Sequence, residues 1–251
     1  MRDIYLITMN EIRVTVRHPF WAFSGLFQPI IYLLLFGPLL NGVAASRGFP
    51  GGQNAIQFFA PGLLVMNALF GSGFEGFTLR DKLDSGFLER LRVTPISRIS
   101  LALGFILQTA VNLLVQSIAL LVCSFFFGLT VDVVGAVLLL GLIVLIGITM
   151  ASISYRLGLI IREGGILAGI INTFVLPAMI LSGIMLPISF GPPIIQIAAR
   201  FDPFLYAVNA SRALIDGAVG DPAVLEAFGL FGLLAVASLA LFIRGMREAV
   251  A

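Results

Sequence analysis

Charge is what this chain has least of. Only 11% of its 251 residues are Asp, Glu, Lys or Arg, and the single lysine is Lys82. A soluble domain carries about 25% charged residues. With 59% hydrophobic residues and a mean hydropathy of +1.06, the chain cannot cover itself with a water-facing surface. The bilayer must be its main solvent, and only helices or closed barrels satisfy every backbone polar group there. The apolar runs are long and do not alternate with polar residues, which excludes the roughly ten-residue alternating strands of an outer-membrane barrel.

Other absences remove whole classes of chemistry. Cys123 is the only cysteine, so no internal disulfide can form. His18 is the only histidine, and neither an H-E-x-x-H motif nor a cysteine cluster offers a metal site. No G-x-x-x-x-G-K-[ST] phosphate loop occurs; the lone lysine sits in Arg80-Asp81-Lys82-Leu83, which is no phosphate cradle. No pair of acids lies inside the apolar runs to relay protons, which disfavours a proton-coupled carrier. No basic run with interleaved aromatics points to nucleic acid. The chain shows neither an energy source nor a hydrolytic site of its own.

What is present is a series of spans. About 20 apolar residues cross the hydrocarbon core, and six segments qualify: Phe23–Leu40, Phe58–Leu79, Ile99–Phe127, Val133–Tyr155, Gly165–Leu186 and Ala223–Ile243. The apolar stretch Phe20–Leu40 is 21 residues long, whereas signal-peptide apolar regions run about 7–15, so it reads as a first span. Lys and Arg set the orientation. Twelve fall in the N-terminal segment, the segments after spans two and four, and the C-terminus; only Arg47, Arg200 and Arg212 fall on the other side. Both termini are therefore expected in the cytoplasm.

Two segments do not fit a plain six-span bundle. Segment 187–222 is external by charge yet apolar, and Pro187, Pro192, Pro193 and Pro203 break it into pieces. Ile194–Ala199 and Phe204–Ala218 are too short to cross, and short apolar segments are often re-entrant or interfacial. A helix–turn–helix dipping into the outer leaflet is expected; the alternative is a loop on the membrane surface. Residues 1–19 place Tyr5, Met9, Ile12 and Val16 on one helical stripe, with Ile7 and Val14 spoiling it. That mixture suits an interfacial helix in the inner headgroup region. The expected fold is thus all-α and membrane-embedded, a single domain over 1–251.

Candidate functional residues are few. On the third span Gly104, Gln108, Asn112 and Gln116 recur every four residues and occupy one wedge of the helix. Such a seam either packs against neighbouring helices through amide hydrogen bonds or walls a substrate path. Asn67 and Asn172 are similar but isolated. Glu75 is the one acid well inside a span, about one turn from its cytoplasmic end, and could pair with Arg80 or act in gating. In the cytoplasmic segment 80–98, Leu83, Phe87 and Leu91 repeat on one face with Glu89, Arg90 and Arg92 beside them, until Thr94-Pro95 stops the helix. Its apolar face needs cover, from this chain's helix ends or from the groove of another protein.

Two stretches carry a resemblance. The first is Gly86-Phe-Leu-Glu-Arg-Leu-Arg-Val-Thr-Pro-Ile-Ser-Arg98, followed by Gly104. The second is Ser182-Gly183-Ile-Met-Leu-Pro187, then Pro192-Pro193, then Asp202-Pro203-Phe-Leu-Tyr206-Ala207, then Arg212. They resemble the ABC-2 type transporter permeases of the daunorubicin-resistance and drug or lipid export group, whose signatures are G-x-x-E-R-L-x-x-[ST]-P and S-G-x-x-x-P … N-P-x-x-Y … R. The chain departs at Asp202, where the family usually has Asn; Asp supports the same turn.

The resemblance implies a half-transporter in a prokaryotic plasma membrane. A second permease, identical or paralogous, would pair with this one. Two separate ATP-binding cassette subunits would carry ATP and Mg, leaving this chain without a cofactor. Gly86, Phe87, Glu89, Arg90 and Leu91 would form the coupling helix seated on the ATPase. Gly183, Pro187, Pro203, Tyr206 and Arg212 would mark the re-entrant element. The substrate expected is a small hydrophobic or amphipathic molecule, drug-like or a lipid. Twenty-two Phe against four Tyr and one Trp lean away from a polysaccharide or glycolipid exporter. A non-transporting assembly subunit is the rival from another class.

Overall fold

The apolar runs fold as helices. The computed structural model describes residues 7–9, 13, 27–35, 55–86, 97–161, 163–185 and 187–249, and among them every regular element is helical. The helices are α1 (Ala55–Gly73), α2 (Glu75–Asp84), α3 (Arg98–Phe126), α4 (Val133–Ile160), α5 (Gly164–Leu181), α6 (Pro193–Ala199), α7 (Pro203–Ile215) and α8 (Pro222–Ala249). Five stretches are long and apolar enough to cross a membrane, with α1 and α2 counting together as Ile56–Asp84. They match the second to sixth expected spans to within five residues at either end: the second, fourth and sixth each run five residues further than expected and the fifth stops five short. Of the expected first span, 27–35 is described and is helical. Of the expected N-terminal interfacial helix, only 7–9 and 13 are described, all helical.

Local sequence sets the helix ends. Ser97 accepts the Ser100 amide at 3.1 Å and starts α3; Asp132 accepts the Val134 amide at 3.4 Å and starts α4. Asp202 and Asp221 do the same for α7 and α8, each followed by a proline at the first helical position, where its missing N–H costs nothing. Pro61 and Pro177 lie inside α1 and α5 without ending them.

α4 is the hub. It is apolar on all sides and packs against α1, α2, α3, α7 and α8. The main core gathers Phe59, Leu63, Leu69, Leu142, Ile146, Leu214 and Phe231. α1 is the most enclosed span: 78% of the apolar stretch of Ile56–Asp84 is buried, against 17% for α5, which leans on the rim of the bundle.

Segment 187–222 is helical rather than a loop. A 3-10 turn at Ile188–Phe190 leads into α6, and a turn at 200–202 reverses the chain into α7. α7 buries Phe204, Ala207, Val208, Ser211 and Leu214 against α1, α4 and α8. It is part of the bundle's core, not a strap across its surface.

Candidate functional site

At its C-terminal end, α1 breaks. Phe74 leaves helical geometry and α2 restarts at Glu75. The break frees a carbonyl and an amide, and one hydroxyl of α4 takes both: Ser154 Oγ donates to the Gly73 carbonyl and accepts the Gly76 amide at 2.8 Å. The helices approach closely here because both sides are small. A Cβ on Gly76 would overlap the Ser154 carbonyl, and one on Gly158 would overlap the Gly76 carbonyl. Beside this notch the Tyr155 hydroxyl donates to Glu75 Oε2 at 3.1 Å and lies 2.8 Å from Thr109 Oγ1 of α3. Tyr155 is 1% exposed and stacks on Phe242 of α8 at 5.1 Å between centroids. Three spans thus meet on one tyrosine, and Glu75 ties the start of α2 to them.

The ion pair expected between Glu75 and Arg80 is not made. Arg80 pairs with Asp84 one turn on, Nε to Oδ2 at 3.1 Å, because residues four apart share a helix face while Glu75 is turned to Tyr155. Leu83, Phe87 and Leu91 also do not form one unbroken helical stripe. Leu83 belongs to α2, which stops at Asp84. The Ser85 amide returns to the Asp81 carbonyl at 3.0 Å and Gly86 sits at φ 71°, a left-handed position that favours glycine. Lys82 lies over the Phe105 ring, 4.6 Å from its centroid. Phe87, Glu89, Arg90 and Leu91 lie outside the described residues.

The α3 seam faces inward. Gln108 and Gln116 are buried and Asn112 is half-buried. Asn67 Nδ2 of α1 donates to Gln116 Oε1 at 3.4 Å, which joins a residue that looks isolated in sequence to the seam. Gln108 Oε1, Ser72 Oγ and Ser117 Oγ are buried with no hydrogen-bond partner among the described residues. A cavity of about 230 Å³ opens between the 27–35 helix and α1, walled by Gln28, Asn67, Phe70 and Phe74. Asn172 stands apart: on α5, its amide donates to the Ala168 carbonyl of its own helix at 3.0 Å.

The signature residues from Gly183 to Arg212 converge on the N-terminal end of α1. Gly183, at φ 72°, ends α5 and turns the chain back. The Ile184 carbonyl then presses on Gly62 so closely that a Cβ there would stand 2.8 Å from it. Arg212 of α7 reaches across to both elements, donating from Nη2 to the Gly183 carbonyl at 2.7 Å and from Nε to the Phe58 carbonyl at 3.3 Å. Its guanidinium lies 3.7 Å from the Phe58 ring centroid. Burial lowers its pKa to about 10. Pro187 opens the 3-10 turn, Pro203 opens α7, and the Tyr206 hydroxyl donates to the Arg200 carbonyl at 3.1 Å across the α6–α7 turn.

Ser154, Tyr155 and Thr109 were missed as candidates in the sequence. Their signal is faint: the run Thr149–Tyr155 holds four hydroxyl residues in a span otherwise built of aliphatics. Among the described residues no group of His, Cys, Asp and Glu is placed to hold a metal.

A helical bundle with several membrane-crossing helices, a buried amide seam and a broken span leading into a charged segment defines a multi-pass membrane protein. A family model described as ABC-2 type transporter matches residues 2–215, up to the end of α7. The chain belongs to that family, and with it to the transmembrane subunits that work with an ATP-binding cassette subunit, in which the ATPase activity lies. It is 30% identical over 218 residues to a putative transport permease, ycf38, of Cyanophora paradoxa, covering 85% of this chain and 74% of that one. It is 30% identical over 201 residues to ycf38 of Porphyra purpurea, covering 78% and 68%. The daunorubicin resistance ABC transporter permease protein DrrB1 of Streptomyces coeruleorubidus is 25% identical over 198 residues, covering 77% and 68%.

Proposed function

We propose that this chain is the permease of an ATP-driven exporter of hydrophobic or amphipathic molecules, working with a second permease and two ATPase subunits in a prokaryotic plasma membrane, both termini cytoplasmic. ATP and Mg belong to the ATPase; this chain supplies the path. The observation that carries the reading is the α1–α2 break. α2 leads directly into the charged segment 80–98, where an ATPase would dock through Gly86–Leu91. In the other direction the break connects to α1, which bears Asn67 and touches the Gln116 seam. A push on the cytoplasmic segment would therefore tilt α2 about the Ser154 notch and reach the seam through Glu75, Tyr155 and Thr109. Glu75 is the gating residue of this scheme.

The name of the daunorubicin-resistance relative supports a drug-like substrate. The outward faces of α6 and its turn support a hairpin in the outer leaflet: Ile194 is 80% exposed and Phe201 85%. Large apolar side chains cluster there on the surface, as lipid contact requires.

The test begins with co-purification of the permease with a phosphate-loop ATPase encoded beside it. Failure of the two to associate sinks the proposal. Within the complex, Glu89→Lys or Leu91→Asp should leave membrane insertion intact and uncouple ATP hydrolysis from export. Normal coupled transport in both variants would remove the coupling role from 80–98. Asn112→Leu should change the substrate profile if the seam lines the path; a stability change alone would make it packing.

A further inference from the structure

An apolar cavity lies away from the amide seam. It measures about 460 Å³, within the roughly 300–1,000 Å³ of small-molecule sites. Leu167, Ile171 and Val175 of α5 pack on Phe70, Phe74 and Met150, and Ala178 and Met179 further along α5 pack on the main core. The cavity lies among α1, α4, α5 and the start of α7. Ile153 and Phe174 border it and are 43% and 72% exposed, so it opens sideways between α4 and α5, on the side lipid would cover.

One wall residue is out of keeping with the rest. Asp202, at the turn into α7, lines the cavity and is only 7% exposed. Its Oδ1 accepts the Phe204 amide at 3.1 Å. Its Oδ2 is buried with no hydrogen-bond partner among the described residues. Capping α7 requires one oxygen, and Asn caps equally well without a charge. A buried carboxylate oxygen without a partner is costly, and what would satisfy it here is a donor brought from outside into an apolar chamber.

We infer that this cavity is a binding site for lipophilic organic amines, which enter between α4 and α5, bury their hydrocarbon beside Met150, Phe174 and Ala178, and set the ammonium against the Asp202 carboxylate, whose Oδ2 lies closed off behind the cavity wall and turns outward to meet it. The inference deepens the proposed export of amphipathic molecules and rests on it for its biological sense, but its test does not pass through transport.

Full-length permease in lipid nanodiscs at pH 8 is labelled with dodecylamine carrying an aliphatic diazirine, and the cross-links are mapped by mass spectrometry. The expected result is saturable labelling of α4 and α5 around Ile153 and Phe174, displaced by unlabelled dodecylamine. Asp202→Asn should weaken it about tenfold or more, the loss of one charge-assisted hydrogen bond. Ala178→Trp, which fills the cavity and leaves Asp202 in place, should abolish it. The matching dodecanol probe should label weakly in every variant. Equal labelling of wild type and Asp202→Asn, equal labelling by amine and alcohol, or labelling confined to the lipid-facing side of α8 would each overturn the inference. Association with the ATPase is measured separately, so loss of that association would strike the transporter reading and leave this result standing.

Discussion

The two ends of the α1–α2 span are held in opposite ways. At the N-terminal end one long cation does the holding. Arg212 draws the carbonyls of Phe58 and Gly183 together and covers the Phe58 ring. At the α1–α2 break the contacts described are of another kind. Gly73, Gly76, Ser154 and Gly158 let backbones meet directly, with hydroxyls of Ser154, Tyr155 and Thr109 filling the hydrogen bonds. A guanidinium bonded to two carbonyls has one geometry. A hydroxyl can rotate and trade partners, and small surfaces slide past one another. The N-terminal end of α1 is built as an anchor and the α1–α2 break as a joint.

Arg212→Ala breaks the anchor and should have the largest effect. It removes two charge-assisted hydrogen bonds and a cation–π contact, and should lower stability by about 3–5 kcal/mol. Thermal unfolding in detergent checks this. Arg212→Lys should recover only a minor part, because an ammonium lacks the planar fork that reaches both carbonyls. Full recovery by Lys would mean that charge alone, not geometry, holds this end.

Gly76→Ala strikes the joint. Its Cβ has no room beside the Ser154 carbonyl, so α2 must move off α4 at a cost of about 1–3 kcal/mol. Unlike the anchor variants, it should depress transport more than it depresses the melting temperature. Parallel losses would show that the α1–α2 break is packing only.

Tyr155→Phe keeps the ring stack on Phe242 and deletes the hydroxyl shared with Glu75 and Thr109. A loss of about 1–2 kcal/mol is expected, together with ATP hydrolysis that no longer tracks export. Retention of coupling would leave Glu75 without a gating role.

The smallest effect should come from Asp202→Asn, and it should be a gain. Burial raises the Asp202 carboxyl from 3.8 to about 6, opposed in part by the Phe204 amide. A raised folded-state pKa means that ionisation costs stability. The cost is absent below pH 3.8, grows as pH rises, and is complete above about 6. Asn retains the cap and escapes the charge, so the variant should be more stable by about 1 kcal/mol at pH 8 and no more stable near pH 4. Melting curves at the two pH values decide it.

Much of the fold is legible in the composition and run lengths. Apolar runs of membrane-crossing length mark the spans, prolines and acids mark helix starts, and the proline-broken 187–222 segment announces two short helices. The break at Phe74 is only faintly legible: Gly71-Ser72-Gly73 and Gly76 flank it, but glycines recur throughout these spans, and it is Ser154 of α4, taking the freed carbonyl and amide, that fixes the break here. The Glu75–Arg80 pairing fails for a related reason. Spacing along one chain says which residues share a face, not which face a neighbouring span occupies. Asn67 and Asn172 look alike in sequence. One meets Gln116 and the other spends its amide on its own helix, a difference settled by α1 lying at the centre and α5 at the rim.

The sequence by itself determined the solvent, the number and length of the apolar runs and the family, since those depend on residue type and on order along the chain. The scarcity of charge is part of that. With so few ions, each one inside the bundle must be answered by a neighbour or left in want of one. Only the tertiary structure decided which: Arg212 answered by two carbonyls, Glu75 by a tyrosine from another span, and Asp202 left with one oxygen unpartnered among the described residues, at the edge of an apolar cavity. Those pairings join residues as much as 154 positions apart, and they follow from how helices stack rather than from any local pattern.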